Sequence, residues 1–176
     1  MTTRQLLLGL LLVLHPTAAR SQSVPVPENY CLPQTEAALE VPLGATRADL
    51  AKAFGAPLRH ARRAGRDADG PYQITQLGYP HLDADIGRDD RIERLATGDS
   101  AVATPSGVRV GQSLPQMMPR LGLPASATLS SRTWSPEFCQ RGPLIPGHAH
   151  ITFTFDSTAK PGGPRLVRIE MRQGGS

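Results

Sequence analysis

Gly44-Ala-Thr-Arg-Ala-Asp-Leu-Ala-Lys-Ala-Phe-Gly-Ala-Pro57 returns 67 residues later as Gly111-Gln-Ser-Leu-Pro-Gln-Met-Met-Pro-Arg-Leu-Gly-Leu-Pro124. Without a gap, Gly44 aligns with Gly111, Thr46 with Ser113, Leu50 with Met117, Phe54 with Leu121, Gly55 with Gly122 and Pro57 with Pro124. Just upstream, Val41 and Leu43 align with Val108 and Val110 at the same offset. Eight chemically compatible matches at one offset point to an internal duplication. Each copy carries the signals of a short helix. Thr46 and Ser113 are N-cap residues, with Asp49 and Gln116 three positions on to complete a capping box. Leu50, Ala53 and Phe54 in one copy, and Met117, Met118 and Leu121 in the other, recur at helical spacing. Gly55 and Gly122 suit the left-handed position after a helix end, and Pro57 and Pro124 block its continuation. Pro119 falls inside the second helix, where it removes a backbone donor and predicts a kink.

Upstream, residues 1–19 read as a secretory signal. Arg4 supplies a positive start, Leu6 to Leu14 an apolar run, and Thr17-Ala18-Ala19 the small residues of a cleavage site. The run is too short to span a bilayer, so the expectation is a periplasmic or secreted protein with no transmembrane anchor. The rest, roughly 155 residues, has room for one ordinary domain or two small repeats sharing a core. Residues 20–40 form an extended lead-in, 41–96 and 108–172 the two repeats, and 97–107 the linker between them.

The whole chain has 19 basic and 15 acidic residues, a formal charge of +4. Arg59, Arg62, Arg63 and Arg66 form the only local cluster, followed at once by Asp67 and Asp69. Their mixed charge predicts a solvated loop from Arg59 to Pro71, and no nucleic-acid surface. The two cysteines of an exported chain most simply join as Cys31–Cys139, and there is no Cys-x-x-Cys redox motif.

After the first helix, strands are predicted over Tyr72–Tyr79, Leu82–Ile86 and Arg91–Ala96. After the second they are predicted over Thr128–Trp134, followed by an insertion from Ser135 to Gly147 that carries Cys139. A hairpin, His148–Phe155 with Arg165–Arg172, closes the chain. Ile151, Phe153 and Phe155 share one face of it, as do Val167, Ile169 and Met171. The expected fold is therefore α+β, with two helices covering one face of an antiparallel sheet built by both halves.

The motif Gly-x-[Thr/Ser]-x₃-[Leu/Met]-x₃-[Phe/Leu]-Gly-x-Pro, leading into a β-hairpin, resembles the repeat of the BamE/SmpA and β-lactamase-inhibitor-protein (BLIP)-like superfamily. The resemblance covers residues 41–172 and implies two such units packed side by side in an exported protein. It also marks two departures. BLIP-like proteins carry a disulfide within each repeat, and BamE proteins carry a lipid-modified cysteine that this sequence lacks. No binding residue of either group transfers to this chain.

Of the residues that could carry chemistry, His148 and His150 lie two apart on a predicted strand and could begin a metal site. A structural zinc needs four ligands and a catalytic one at least three, and the other histidines nearest in pattern, His60 and His81, belong to the other half. Gly98-Asp-Ser-Ala-Val102 has the residues of a serine nucleophile motif without a spaced base, and reads as a turn. Asp83 and Asp85 share a strand face and read as its solvated side. The function expected from these observations is a non-enzymatic binding protein, with no cofactor and no metal, that contacts another exported or envelope protein. An inhibitor, an immunity protein and an assembly accessory all fit that description. Tyr72, Tyr79 and Trp134 are the candidate exposed anchors. The competing reading is a small hydrolase or metal-dependent enzyme centred on His148 and His150.

Overall fold

A computed structural model describes residues 23–67, 69–139, 149–156 and 163–173. In chain order its strands are β1 (Val24–Pro25), β2 (Cys31–Leu32), β3 (Ala38–Leu39) and β4 (Val41–Pro42), followed by helix α1 (Arg47–Phe54). Then come β5 (Arg59–Asp67), β6 (Gly70–Gly78), β7 (Asp83–Ile86) and β8 (Ile92–Thr97), followed by helix α2 (Leu114–Met117). The chain continues with β9 (Ala127–Thr128), β10 (Thr133–Trp134), β11 (Glu137–Phe138), β12 (His150–Phe155) and β13 (Leu166–Arg172). The protein is mixed α+β, organised on a nine-stranded, largely antiparallel sheet in the order β2-β11-β12-β13-β8-β7-β6-β5, with β10 also on β12.

The helices begin as their caps dictate. The Thr46 N–H donates to Asp49 Oδ2 at 2.9 Å while the Asp49 N–H donates back to Thr46 Oγ1 at 3.3 Å. In the second half the Ser113 N–H and hydroxyl both reach Gln116 Oε1, at 2.9 and 3.0 Å. Pro119 acts as its position requires. Helix α2 stops at Met117 and the chain tightens into a 3₁₀ turn, Met118–Leu121. Gly122 then ends that turn in the left-handed region, whereas Gly55 has positive φ but an extended ψ of −149°.

Matching bonds tie each helix start to the strand that closes its half. Gly44 N–H donates to Ile92 O (2.9 Å) and Gly111 N–H to Leu166 O (2.7 Å). In return, Ile92 N–H donates to Ala45 O (2.8 Å) and Leu166 N–H to Gln112 O (2.9 Å). Arg91 Nη1 donates to Gly44 O (3.1 Å), and Arg165 Nη1 to Gly111 O (2.9 Å). Gly44 and Gly111 hold φ of +83° and +90°, where a Cβ would introduce strain. The halves meet where β8 and β13 run antiparallel, from Thr97↔Ile169 to Arg94↔Arg172.

One face of the sheet is apolar. Leu77, Ala84, Leu95, Ile151, Phe153, Phe155, Ile169 and Met171 join Leu50 of α1 and Met117, Met118 and Leu121 of the second helical segment in a single buried cluster. Burying each large side chain contributes about 1.5–3 kcal/mol relative to exposure.

Three expectations about the strands need correction. Arg59 to Pro71 is no loop. It is β5 and the turn into β6, paired in continuous register from Arg59↔Gly78 to Asp67↔Gly70. Its polar composition reflects an edge position, where neither side chain row has to enter a core. The predicted Thr128–Trp134 strand is broken into β9 and β10, and the insertion after it contributes β11. Val167 does not share the inner face with Ile169. It is 41% exposed, and Leu166 is buried in its place, because the β12–β13 register shifts between Thr154 and Phe155. A one-residue bulge moves a side chain to the opposite face.

Candidate binding face and aromatic groove

The face of the sheet turned away from the core carries a different row of residues. In an antiparallel pair, directly opposed residues project to the same side. The registers Arg59↔Gly78↔Asp83, Ala61↔Gln76↔Asp85, Asp85↔Arg94, Arg94↔Arg172 and Glu170↔Thr152 therefore trace one polar surface across six strands.

Its charges form a connected network. Arg59 Nη2 donates to Asp83 Oδ1 at 2.9 Å at the edge, and Arg63 Nη2 to Asp85 Oδ2 at 2.9 Å. Arg94 stands between the halves, 3.6 Å from Asp85 Oδ1 and 3.1 Å from Glu170 Oε2. Arg168 Nη2 adds a 2.9 Å bond to the same Glu170 oxygen, and Arg172 binds the other. Asp85 is only 4% exposed, so it is a paired, buried carboxylate and not the solvated one its alternation suggests. Such a charge is tolerated only with partners, and Asp85 has two arginines and Gln76 around it. Burial pushes the Glu170 carboxyl up, but hydrogen bonds from Arg94, Arg172 and Arg168 outweigh it and hold the group well below the usual carboxylate range. A cavity of about 270 Å³ opens along this surface, between Arg59, Gln76, Asp83, Asp85 and Arg94.

A second concavity, of about 480 Å³, lies beside the disulfide, where Pro25, Pro27, Tyr30, Leu129, Trp134 and Pro136 line it. Here the lead-in is a structural strap. β1 pairs in parallel with β9 and β2 with β11, and Cys31–Cys139 closes across them. Tyr30 stacks on Trp134 with ring centroids 5.7 Å apart, Trp134 stacks on Phe153 at 5.5 Å, and the Tyr30 hydroxyl donates to Leu121 O.

The three aromatic candidates therefore have different settings. Trp134 is half-buried and lines the groove. Tyr72 is half-buried at the outer end of the polar face, its hydroxyl bonded to Glu93 Oε2 at 2.9 Å and the Arg88 guanidinium 5.0 Å from its ring centre. Tyr79 is not an exposed anchor. At 5% exposure it is core, packed against Phe54 because α1 covers it. His150 lies on β12 opposite Glu137 and Arg172, while His148 falls outside the described residues. Among the described residues no group of three or more His, Cys, Asp or Glu side chains is arranged to hold a metal ion. Asp99 of the Gly98–Val102 turn pairs with His81 Nδ1 at 2.7 Å, and its acidity is raised first by the Ala101 N–H and then by His81.

The Arg63–Asp85–Arg94–Glu170 chain escaped the sequence reading. Its only trace there is the i, i+2 spacing of Asp83 with Asp85 and of Arg168 with Glu170 and Arg172 on strands. Which of those rows would meet depends on strand order.

No protein-family model matches this chain. No curated protein matches it either. Among solved structures it is similar to the uncharacterized protein YfeY from Escherichia coli, with a TM-score of 0.44 and 10% sequence identity, over 82% of this chain and 100% of that one. No described helix is long and apolar enough to cross a membrane.

Proposed function

We propose that this is an exported binding protein, active in the periplasm or outside the cell, that holds another exported protein without performing chemistry on it. The observation that carries the reading is the charge network on the face of the sheet opposite the helices. Its arginines and carboxylates are fixed by one another before any partner arrives. Preorganised charge favours orientation and selectivity in protein–protein recognition more than raw affinity. The half-buried aromatics Trp134 and Tyr72, near opposite ends of the sheet, suit the anchor role that large, rigid side chains play in interfaces. Cys31–Cys139 supports an oxidising compartment. An inhibitor, immunity protein or assembly accessory would each use such a surface.

The same reading treats 41–96 and 108–172 as two copies of one unit, joined through 97–107 into a single two-layer sandwich. The paired bonds at Gly44 and Gly111, and at Arg91 and Arg165, support it. So does the antiparallel meeting of the two closing strands.

The test is capture on immobilised oxidised protein from envelope and culture-supernatant extracts, run beside an Arg63→Ala/Arg168→Ala variant. Both side chains are substantially exposed, and their removal leaves Asp85 and Glu170 still paired with Arg94. Retention of one exported protein near 1:1 by the parent, and its loss by the variant, is the expected result. Equal retention by both overturns the assignment to this face. No retention by either, from cells grown under several conditions, overturns the binding reading.

A further inference from the structure

β5 ends the large sheet, and among the described residues nothing pairs with its outer edge. It is nine residues long and keeps register with β6 throughout. At about 3.3 Å per residue it presents roughly 30 Å of free backbone. Exposed edges are ordinarily blunted by proline, by bulges, by shortness or by charged side chains. β5 uses only the last. It carries four arginines, with Asp67 as its final residue.

That charge is divided between its two faces. Arg59 and Arg63 are tied back to Asp83 and Asp85. On the other face His60, Arg62 and Arg66 are exposed, with no hydrogen-bond or ion-pair partner among the described residues. Leu58, immediately before the strand, is 73% exposed. Two copies aligned along β5 would set arginines beside arginines, and like charges directly opposite destabilise a strand pair. The edge is thus closed to its own kind and complementary to a strand of opposite sign.

We propose that the β5 edge takes up an extended acidic segment of a partner protein as an added strand. Main-chain hydrogen bonds would supply the pairing, and Asp or Glu at alternate positions would lie beside Arg62 and Arg66. An apolar residue at one end of the segment would meet Leu58. This deepens the binding reading above and rests on it, adding the chemistry of the partner and a second contact surface.

The probes are three fluorescent eight-residue peptides: one alternating Glu with Thr, one with Lys in place of Glu, and the Glu peptide N-methylated at alternate backbone positions. Heparin serves as a polyanion without a peptide backbone. Binding to the oxidised full-length protein is read by anisotropy, and protection of β5 amides by hydrogen exchange. The Glu peptide is expected to bind and to slow exchange along β5, with the Lys and N-methylated peptides at least tenfold weaker. Arg62→Glu/Arg66→Glu should lower the affinity at least tenfold with an unchanged Tm, since both side chains are exposed. Equal binding of the N-methylated peptide, tighter binding of heparin, or absence of β5 protection would overturn the proposal. So would retention of the same captured partner at parental affinity by Arg62→Glu/Arg66→Glu. That last outcome leaves the charged-face reading standing, whereas failure of the Arg63→Ala/Arg168→Ala comparison with intact peptide binding removes the face and keeps the edge.

Discussion

In the first half, α1 hands over to four strands, β5 to β8, two of them nine residues long and paired throughout. In the second, the described residues after α2 offer two-residue pieces, β9, β10 and β11, before β12 and β13 restore the sheet. Both halves nevertheless start from the same glycine, cap and arginine bonds. The local code that starts each helix is thus separable from the means of finishing the sheet beside it. The first half extends its sheet outward through a long hairpin, β5–β6, paired along its whole length. The second borrows the lead-in, whose β2 takes the outer position beside β11 while β1 pairs with β9 in a separate two-stranded sheet, and fastens it with Cys31–Cys139.

The disulfide offers the hardest way to break this comparison. It closes a separation of 108 residues, and in the chain-entropy view its removal costs about 4–5 kcal/mol. Cys31→Ser/Cys139→Ser should lower the denaturation midpoint sharply, and hydrogen exchange should accelerate first in β2, β11 and β12. Uniform loss across β5 and β6 as well would show that the second half is not independently fastened. Next in size are the equivalent core residues. Leu50 and Met117 are both fully buried, and each changed to alanine should cost about 2–5 kcal/mol in denaturant unfolding. Similar values sharpen the equivalence of the two helices. A cost confined to one of them breaks it.

The acid dependence of the seam comes third. Glu170 has a folded pKa below its unfolded one, so its contribution is present above the ordinary carboxylate range. It is lost as pH falls from about 4.3 toward the depressed folded value. Glu170→Gln should flatten this part of the stability–pH curve, measured between pH 5 and pH 2, and leave the region above pH 6 parallel to the parent. The smallest effect belongs to the caps. Gln116→Ala frees a partly buried Ser113 N–H and should cost about 1 kcal/mol. Asp49→Ala should cost less, since the Thr46 N–H it frees is exposed and can turn to water. Thermal unfolding of the two variants side by side checks the order.

Particular residues show which features were legible beforehand. Thr46, Asp49, Ser113 and Gln116 act within three positions of one another, so their caps follow from spacing. Pro119 stands past the first turn of α2, where a missing backbone donor interrupts α-helical bonding, whereas Pro115 in the first turn does not. The alternation of Ile151, Phe153 and Phe155 exposes the inner face of β12 because its side-chain period is fixed at two. Val167 was misplaced since a bulge obeys the partner strand, which the local pattern does not contain. The arginines of β5 looked like a loop for a similar reason. An edge strand lined by charge has no buried row to announce it, and its regularity comes from β6.

The sequence by itself determined the two helix starts, the stop of α1, the closing hairpin, the one possible intramolecular disulfide and the pairing of motifs at a 67-residue offset. All of these rest on interactions between near neighbours, on repetition, or on a count of two. Only the tertiary structure decided that β8 meets β13, and therefore that Arg94 stands between Asp85 and Glu170. It also decided that Tyr79 is core and that the basic strand ends the sheet among the described residues. Those outcomes depend on strand order and on which surfaces remain uncovered, and both are set by burying one apolar face for the whole chain at once.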